Sequence, residues 1–161
     1  MTQPPVSDLN ARATALRPAT CAGLCAAAIS ILAGVAIRWW PSVETPVASA
    51  HLVLTLLLYT TAGALAARYA GDGWRAGLFA GLLDALIGHP VAFFLSAPPD
   101  PARLSLPPGI EATPAVIATA HLWGAVVGAS VAIVFATGAG AAGGWYARRA
   151  GKAPRTSGNS P

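Results

Sequence analysis

The sequence predicts an all-α polytopic membrane protein, four transmembrane helices in a bundle, and three observations carry that prediction. Of 161 residues, 55% are hydrophobic and only 10% are charged, whereas soluble domains carry about 25% charged residues. The apolar residues are gathered into four runs that contain no Lys or Arg: Ala19–Ile37, Val47–Ala67, Ala76–Ser96 and Pro114–Ala147. A spanning helix needs about 20 apolar residues at 1.5 Å of rise each, and every run reaches that length. Transmembrane strands would instead show alternating segments of roughly ten residues, and the sequence has none.

These runs divide the chain into three parts. A polar, proline-containing stretch, 1–18, is expected to be disordered. The transmembrane domain covers 19–147, with helices at about 19–38, 47–68, 74–96 and 114–147 and an outer proline-rich loop at 97–113. A basic tail, 148–161, follows and is also expected to be disordered.

The net charge is +4. The basic residues lie at helix ends and in short loops, without the aromatic–basic interleaving of a nucleic-acid surface, so nucleic acid is not an expected partner. Their distribution sets an orientation instead. Arg12, Arg17, Arg68, Arg75, Arg148, Arg149, Lys152 and Arg155 fall on one side of the four-span threading, and Arg38 and Arg103 on the other. The positive-inside rule then places both termini in the cytoplasm, with the chain in the cell (inner or plasma) membrane. Trp39 and Trp40 fall at the outer interface and Trp74, Trp145 and Tyr146 at the inner one, as an aromatic belt requires.

In the first helix, Ala22, Ala26, Ser30 and Gly34 recur every fourth residue, a small-residue face that lets a second helix approach closely. Ala48-Ser49-Ala50 resembles a signal cleavage site, but it lies thirteen residues beyond Ile37, and Arg38-Trp39-Trp40 reads as a stop at the interface, so the first helix is expected to stay uncleaved. Cys21 and Cys25 are read as small apolar residues rather than a metal or redox pair, because no further ligands accompany them.

The second helix is leucine-rich in its first half, which suits lipid, and small in its second half, which suits packing. The third carries Gly73, Gly77, Gly81 and Ala85 at fourfold spacing. The fourth run is 34 residues long, about 51 Å against a hydrocarbon core of roughly 30 Å. It must tilt, project, or break in its glycine-rich end. Gly124, Gly128, Gly140 and Gly144 belong to its small stripe. His89 is followed by Pro90, which removes the hydrogen bond to the Leu86 carbonyl and predicts a kink.

Two internal echoes fit a pair of helical-hairpin repeats. Ala62–Gly71 matches Ala142–Gly151 at six of ten positions, and Gly23–Gly34 matches Gly77–Gly88 at five of twelve. Between Gly63 and Gly88 the chain reads Gly-x-x-x-Ala-Arg, then Gly-Asp-Gly, then Gly-x-x-x-Gly-Leu-Leu. That pattern resembles several bacterial and archaeal families of small four-helix membrane proteins. Those families have no assigned function, so the resemblance implies a fold and no site residues.

Asp84 is the sharpest chemical signal. An ionisable group at the centre of a span costs about 2.5–3.5 kcal/mol on insertion scales, and no Lys or Arg lies at its depth to offset that. Ser30, Tyr59, Thr60 and Ser130 fall at a similar depth on the other helices and are candidate hydrogen-bond partners. Asp84 then reads either as a proton or cation carrier or as an acid that clamps helices together. His51, His89 and His121 come from three helices and fall in the outer half of the membrane, where neutral imidazoles can ligate haem or a metal.

Soluble-type catalytic constellations are missing: no nucleophile elbow, no phosphate-binding loop with Lys, no HExxH. An enzyme is not expected, and neither is a cofactor, haem or a metal standing only as the alternative. The leading expectation is a small membrane subunit or scaffold that packs against itself or another membrane protein through Gly/Ala faces. A proton-coupled or ion-conducting transporter using Asp84 is the second reading, and a haem- or metal-binding subunit using the histidines the third.

Overall fold

The structure is a computed structural model and describes residues 6–69, 72–96, 106 and 109–151. Helix α1 is Val6–Trp39, a short 3₁₀ turn follows at Pro41–Val43, and α2 is Glu44–Tyr69. The third rod consists of α3, Gly73–Leu83, a π-helical turn at Asp84–Gly88, and α4, His89–Leu95. Helix α5 is Pro114–Ala150. The fold is an all-α four-helix bundle, and no strand occurs among the described residues.

Four segments are long and apolar enough to cross a membrane: Leu16–Trp39, Pro41–Tyr69, Gly73–Leu95 and Pro114–Ala150. Helix α5 packs along α2 and α3, and α1 packs along α2, α3 and α4. α1 and α5 therefore sit on opposite sides of the α2–α3 pair.

Helix ends are set by backbone chemistry, and they extend past the edges of the apolar runs. α1 starts at Val6, so residues 6–18 are helical rather than disordered. Ala and Arg, strong helix formers, dominate its second turn, and hydropathy marks where lipid ends rather than where hydrogen bonding ends. α2 opens at Glu44, whose carboxylate sits in the first turn and suits the positive helix end. α5 opens after Thr113, whose Oγ1 accepts from the Val116 N–H at 3.4 Å, with Pro114 in the first turn, the expected N-cap chemistry. At its far end Arg148 and Arg149 occupy the last turn, opposite the negative helix end. The Arg149 guanidinium also lies 3.9 Å over the Trp145 ring. The helix runs on to Ala150, so 148–150 are not part of a tail. At 37 residues α5 is continuous; it projects rather than breaks. Residues 1–5, 97–105, 107–108 and 152–161, on which the remaining tail and most of the proline loop fall, lie outside the described residues.

The packing is inverted relative to a soluble bundle. The buried side chains are chiefly alanine (Ala19, Ala22, Ala26, Ala62, Ala66, Ala76, Ala80, Ala136), while Leu32, Leu57, Leu86, Phe94, Val127 and Val134 lie exposed on the perimeter. Water would not tolerate that apolar girdle; lipid suits it. With small residues inside, the helices approach to backbone contact. A Cβ added to Gly140 would sit 2.6 Å from the Gly77 Cα and 2.7 Å from the Gly73 carbonyl oxygen. One added to Gly63 would strike the Gly140 backbone, and one added to Gly143 the Thr60 carbonyl.

The glycines of the fourfold stripes divide along the bundle. Gly77, Gly81, Gly140 and Gly144 are packed against neighbouring helices, Gly128 stands 3.7 Å from the His89 ring, and Gly124 faces open space. Gly124 therefore packs against none of the described residues. Periodicity identifies a face, and at that level α5 meets the third rod through His121 and the Gly128 position rather than through Gly124.

Candidate functional site

Asp84 lies eleven residues from each end of the Gly73–Leu95 span and is 1% exposed. Its two carboxylate oxygens have separate partners on separate helices. The Ser30 hydroxyl of α1 donates to Oδ1 at 2.9 Å, and the Tyr59 hydroxyl of α2 donates to Oδ2 at 2.7 Å. Ser30 is 6% and Tyr59 2% exposed, so the whole junction is dry. Among the described residues no buried side-chain polar atom lacks a partner.

The network extends through two imidazoles. His51 Nε2 stands 2.8 Å from Ser30 Oγ. A serine hydroxyl has one proton, and here it goes to Asp84, so His51 carries its proton on Nε2 and donates to Ser30. His89 Nδ1 is 3.4 Å from the Asp84 carbonyl oxygen and 3.9 Å from Oδ1. Hence His51–Ser30–Asp84–Tyr59 is a continuous hydrogen-bonded row across α1, α2 and the third rod, with His89 beside it.

A local backbone feature puts Asp84 there. Pro90 has no N–H for the Leu86 carbonyl, and its ring crowds that carbonyl in a regular α-helix. The chain widens instead: the His89 N–H bonds back five residues to the Asp84 carbonyl, as a π-turn does. Gly88 completes the fit. A Cβ there would collide with Asp84 Oδ1 and stand 2.8 Å from the Ala27 Cα, so only glycine lets the carboxylate fold back while α1 stays close. Sequence reasoning did not single out Gly88. Its signal was available, a glycine one turn after a membrane acid.

The remaining candidates lie elsewhere. Thr60 Oγ1 donates to the Leu56 carbonyl, and Ser130 Oγ, on an exposed face, donates to the Val126 carbonyl. Neither reaches Asp84, and both satisfy their own helix, as hydroxyls in apolar helices do. The three histidines do not converge. His121 pairs with Ser96 Oγ at 3.0 Å and packs on Phe93 with ring centroids 4.4 Å apart. No group of three His, Cys, Asp or Glu side chains suited to a metal occurs among the described residues. Cys21 and Cys25 are free thiols on the exposed face of α1.

A buried acid held by two hydroxyls, with an imidazole one bond away, can take up and release a proton without leaving a charge unpartnered. Comparison with family models, with curated proteins and with solved structures finds no match for this chain.

Proposed function

We propose that the chain is a small multi-pass membrane protein whose core exchanges protons at Asp84, serving a proton-coupled or proton-conducting role rather than an enzymatic one. The carrying observation is the placement of Asp84: mid-span and 1% exposed, with each carboxylate oxygen bonded by a hydroxyl from a different helix and an imidazole on the second atom of that row. Ionisable groups inside spanning helices mark ion pathways and proton relays. The Lys and Arg distribution supports an orientation with both termini cytoplasmic.

The test is a pH-dependent infrared difference spectrum of the purified chain in lipid. A carboxylic acid band should appear as pH falls and be lost in Asp84→Asn, with helix content unchanged. A carboxyl that keeps one protonation state from acid to alkaline pH is a structural clamp, and the reading fails.

A second reading, a membrane subunit or scaffold, is favoured by the outer half of α5. There Leu122, Trp123, Val126 and Val127 are exposed and Gly124 has open space around it, as a partner helix would need. Gly124→Leu should abolish association in mild detergent on this reading, and cross-linking of the purified chain checks it.

A further inference from the structure

We infer that Asp84 exchanges its proton with one end of the bundle only, the end formed by Trp39, Glu44, Leu95 and Pro114, and that the route is Ser30 and His51. This rests on the proton-exchange reading and adds a direction to it.

The argument is an asymmetry in what is buried. Among the described residues the buried polar side chains are Ser30, Thr55 and Asp84. Thr55 is one turn from Tyr59 toward the Glu44 end of α2, and Ser30 and His51 likewise extend from Asp84 toward that end. His51 and His89 are only partly covered, His89 being 19% exposed. On the opposite side of Asp84 the buried side chains are all alanine: Ala19, Ala22, Ala62, Ala66, Ala76 and Ala80. There the helices touch backbone to backbone, Gly63 on Gly140, Gly77 on Ala136 and Gly143 on Thr60. The threonine hydroxyls near that seam, Thr60 and Thr137, are committed to the Leu56 and Ile133 carbonyls of their own helices. A site that holds water needs two to four polar partners and room for one probe sphere, and this half offers neither. It is a dry plug.

The groups facing Asp84 from each packed element are few. α2 supplies His51 and Tyr59 and α4 supplies His89. α1 supplies Ser30, which does not titrate. The ionisable side chains of α5 are His121, engaged by Ser96, and Tyr146, Arg148 and Arg149 at its far end.

The transfer balances within this row. An imidazolium at His51 gives its Nε2 proton to Ser30 Oγ as the Ser30 proton moves to Asp84 Oδ1. The products are a neutral imidazole, protonated on Nδ1 and accepting from Ser30, and a neutral carboxylic acid. The His51–Ser30 and Ser30–Asp84 bonds survive with their directions reversed while Tyr59 still donates to Oδ2, and reversal of the sequence returns the proton to the same end. Passage to the other end would require the Gly/Ala seam to open, so the site is a one-sided proton acceptor rather than an open channel.

The test follows the Asp84 carboxyl infrared band in the full-length chain, reconstituted in vesicles sorted by accessibility of a C-terminal tag. The pH of the outer buffer is stepped for each orientation. The band should respond about tenfold faster when the step reaches the Trp39/Glu44 end. His51→Phe and Ser30→Ala should each slow that response, each rate being read against that variant's own equilibrium amplitude. Equal rates from both ends, or a faster response from the Tyr69/Ala150 end, overturn the one-sided route and leave the proton site intact. Unaltered kinetics in both variants remove His51 and Ser30 from the route. A band that responds from neither end overturns the proton-exchange reading itself.

Discussion

Replacing Gly140 by alanine is the most direct challenge to the packing that holds the site. The new Cβ would lie 2.6 Å from the Gly77 Cα, 2.7 Å from the Gly73 carbonyl oxygen and 2.8 Å from the Gly77 nitrogen. All three are backbone atoms, so no side chain can swing aside. Restoring ordinary contact at 3.4 Å means opening the α3–α5 seam by about 0.8 Å, a gap that forfeits a quarter to a half of each dispersion contact across it. Gly73, Gly77 and Gly144 share that seam, and the loss reaches all of them. Overpacking of this kind costs about 1–3 kcal/mol. Gly124→Ala provides the control, because nothing lies within 4 Å of a Cβ at that position. Both changes gain the same helix propensity, about 1 kcal/mol, which cancels in the comparison. Unfolding in mixed micelles, followed by far-UV circular dichroism against increasing SDS fraction, should place Gly140→Ala about 1–3 kcal/mol below Gly124→Ala. If the two agree within about 0.5 kcal/mol, the seam is looser than described and the dry plug below Asp84 has no basis.

Tyr59→Phe removes the 2.7 Å bond to Asp84 Oδ2 and should cost about 0.6–1.7 kcal/mol in the same assay. The cost should shrink in an Asp84→Asn background, and a double-mutant cycle with no coupling would separate the two residues. Pro90→Ala restores an N–H for Leu86 and should let the π-turn relax to an α-helix. Faster-protected amides over 86–90 in hydrogen exchange, together with an altered Asp84 infrared band, are the expected signs. An unchanged exchange pattern would mean that Gly88 and α1 packing, rather than Pro90, hold the widened turn.

Much of this architecture is legible in the amino-acid order because lipid imposes a simple rule: a span is a run of apolar residues of fixed length. Depth along each helix can be counted in the same way, and that count puts Ser30, Tyr59, Thr60 and Ser130 level with Asp84. Azimuth cannot be counted. Thr60 is one residue from Tyr59, hence about 100° round the helix, and that rotation turns its hydroxyl onto its own backbone. Ser130 lies between Gly128 and Ile133, which face the third rod, but it points from the exposed side of α5 and bonds its own backbone. The fourfold stripes fail for a related reason. Gly140 and Gly124 are equally periodic, and only the tertiary contacts distinguish a helix crossing from an open face. The π-turn is partly legible, since Pro90 announces a disturbance, but whether a helix bends or widens depends on the glycine at 88 and on α1 beside it.

The internal echo acquires a physical meaning from these contacts. Ser30 and Asp84 occupy equivalent positions in the matched stretches Gly23–Gly34 and Gly77–Gly88, and they bond to each other across the bundle. In the other matched pair Gly63 aligns with Gly143, and the same register carried two residues back from Ala62 sets Thr60 beside Gly140. Gly63 meets Gly140, and Gly143 meets Thr60, so the contact is its own counterpart when the two hairpins are exchanged. The carboxylate thus sits at a contact between α1 and the third rod that is made by residues at matched positions. Where the first hairpin carries serine the second carries aspartate, and only the second carries the Gly88–Pro90 turn that opens room for a carboxylate. The acid therefore belongs to one hairpin alone, and the packing around it is unequal too: α2 packs along α3, whereas α1 and α5 make no comparable contact among the described residues.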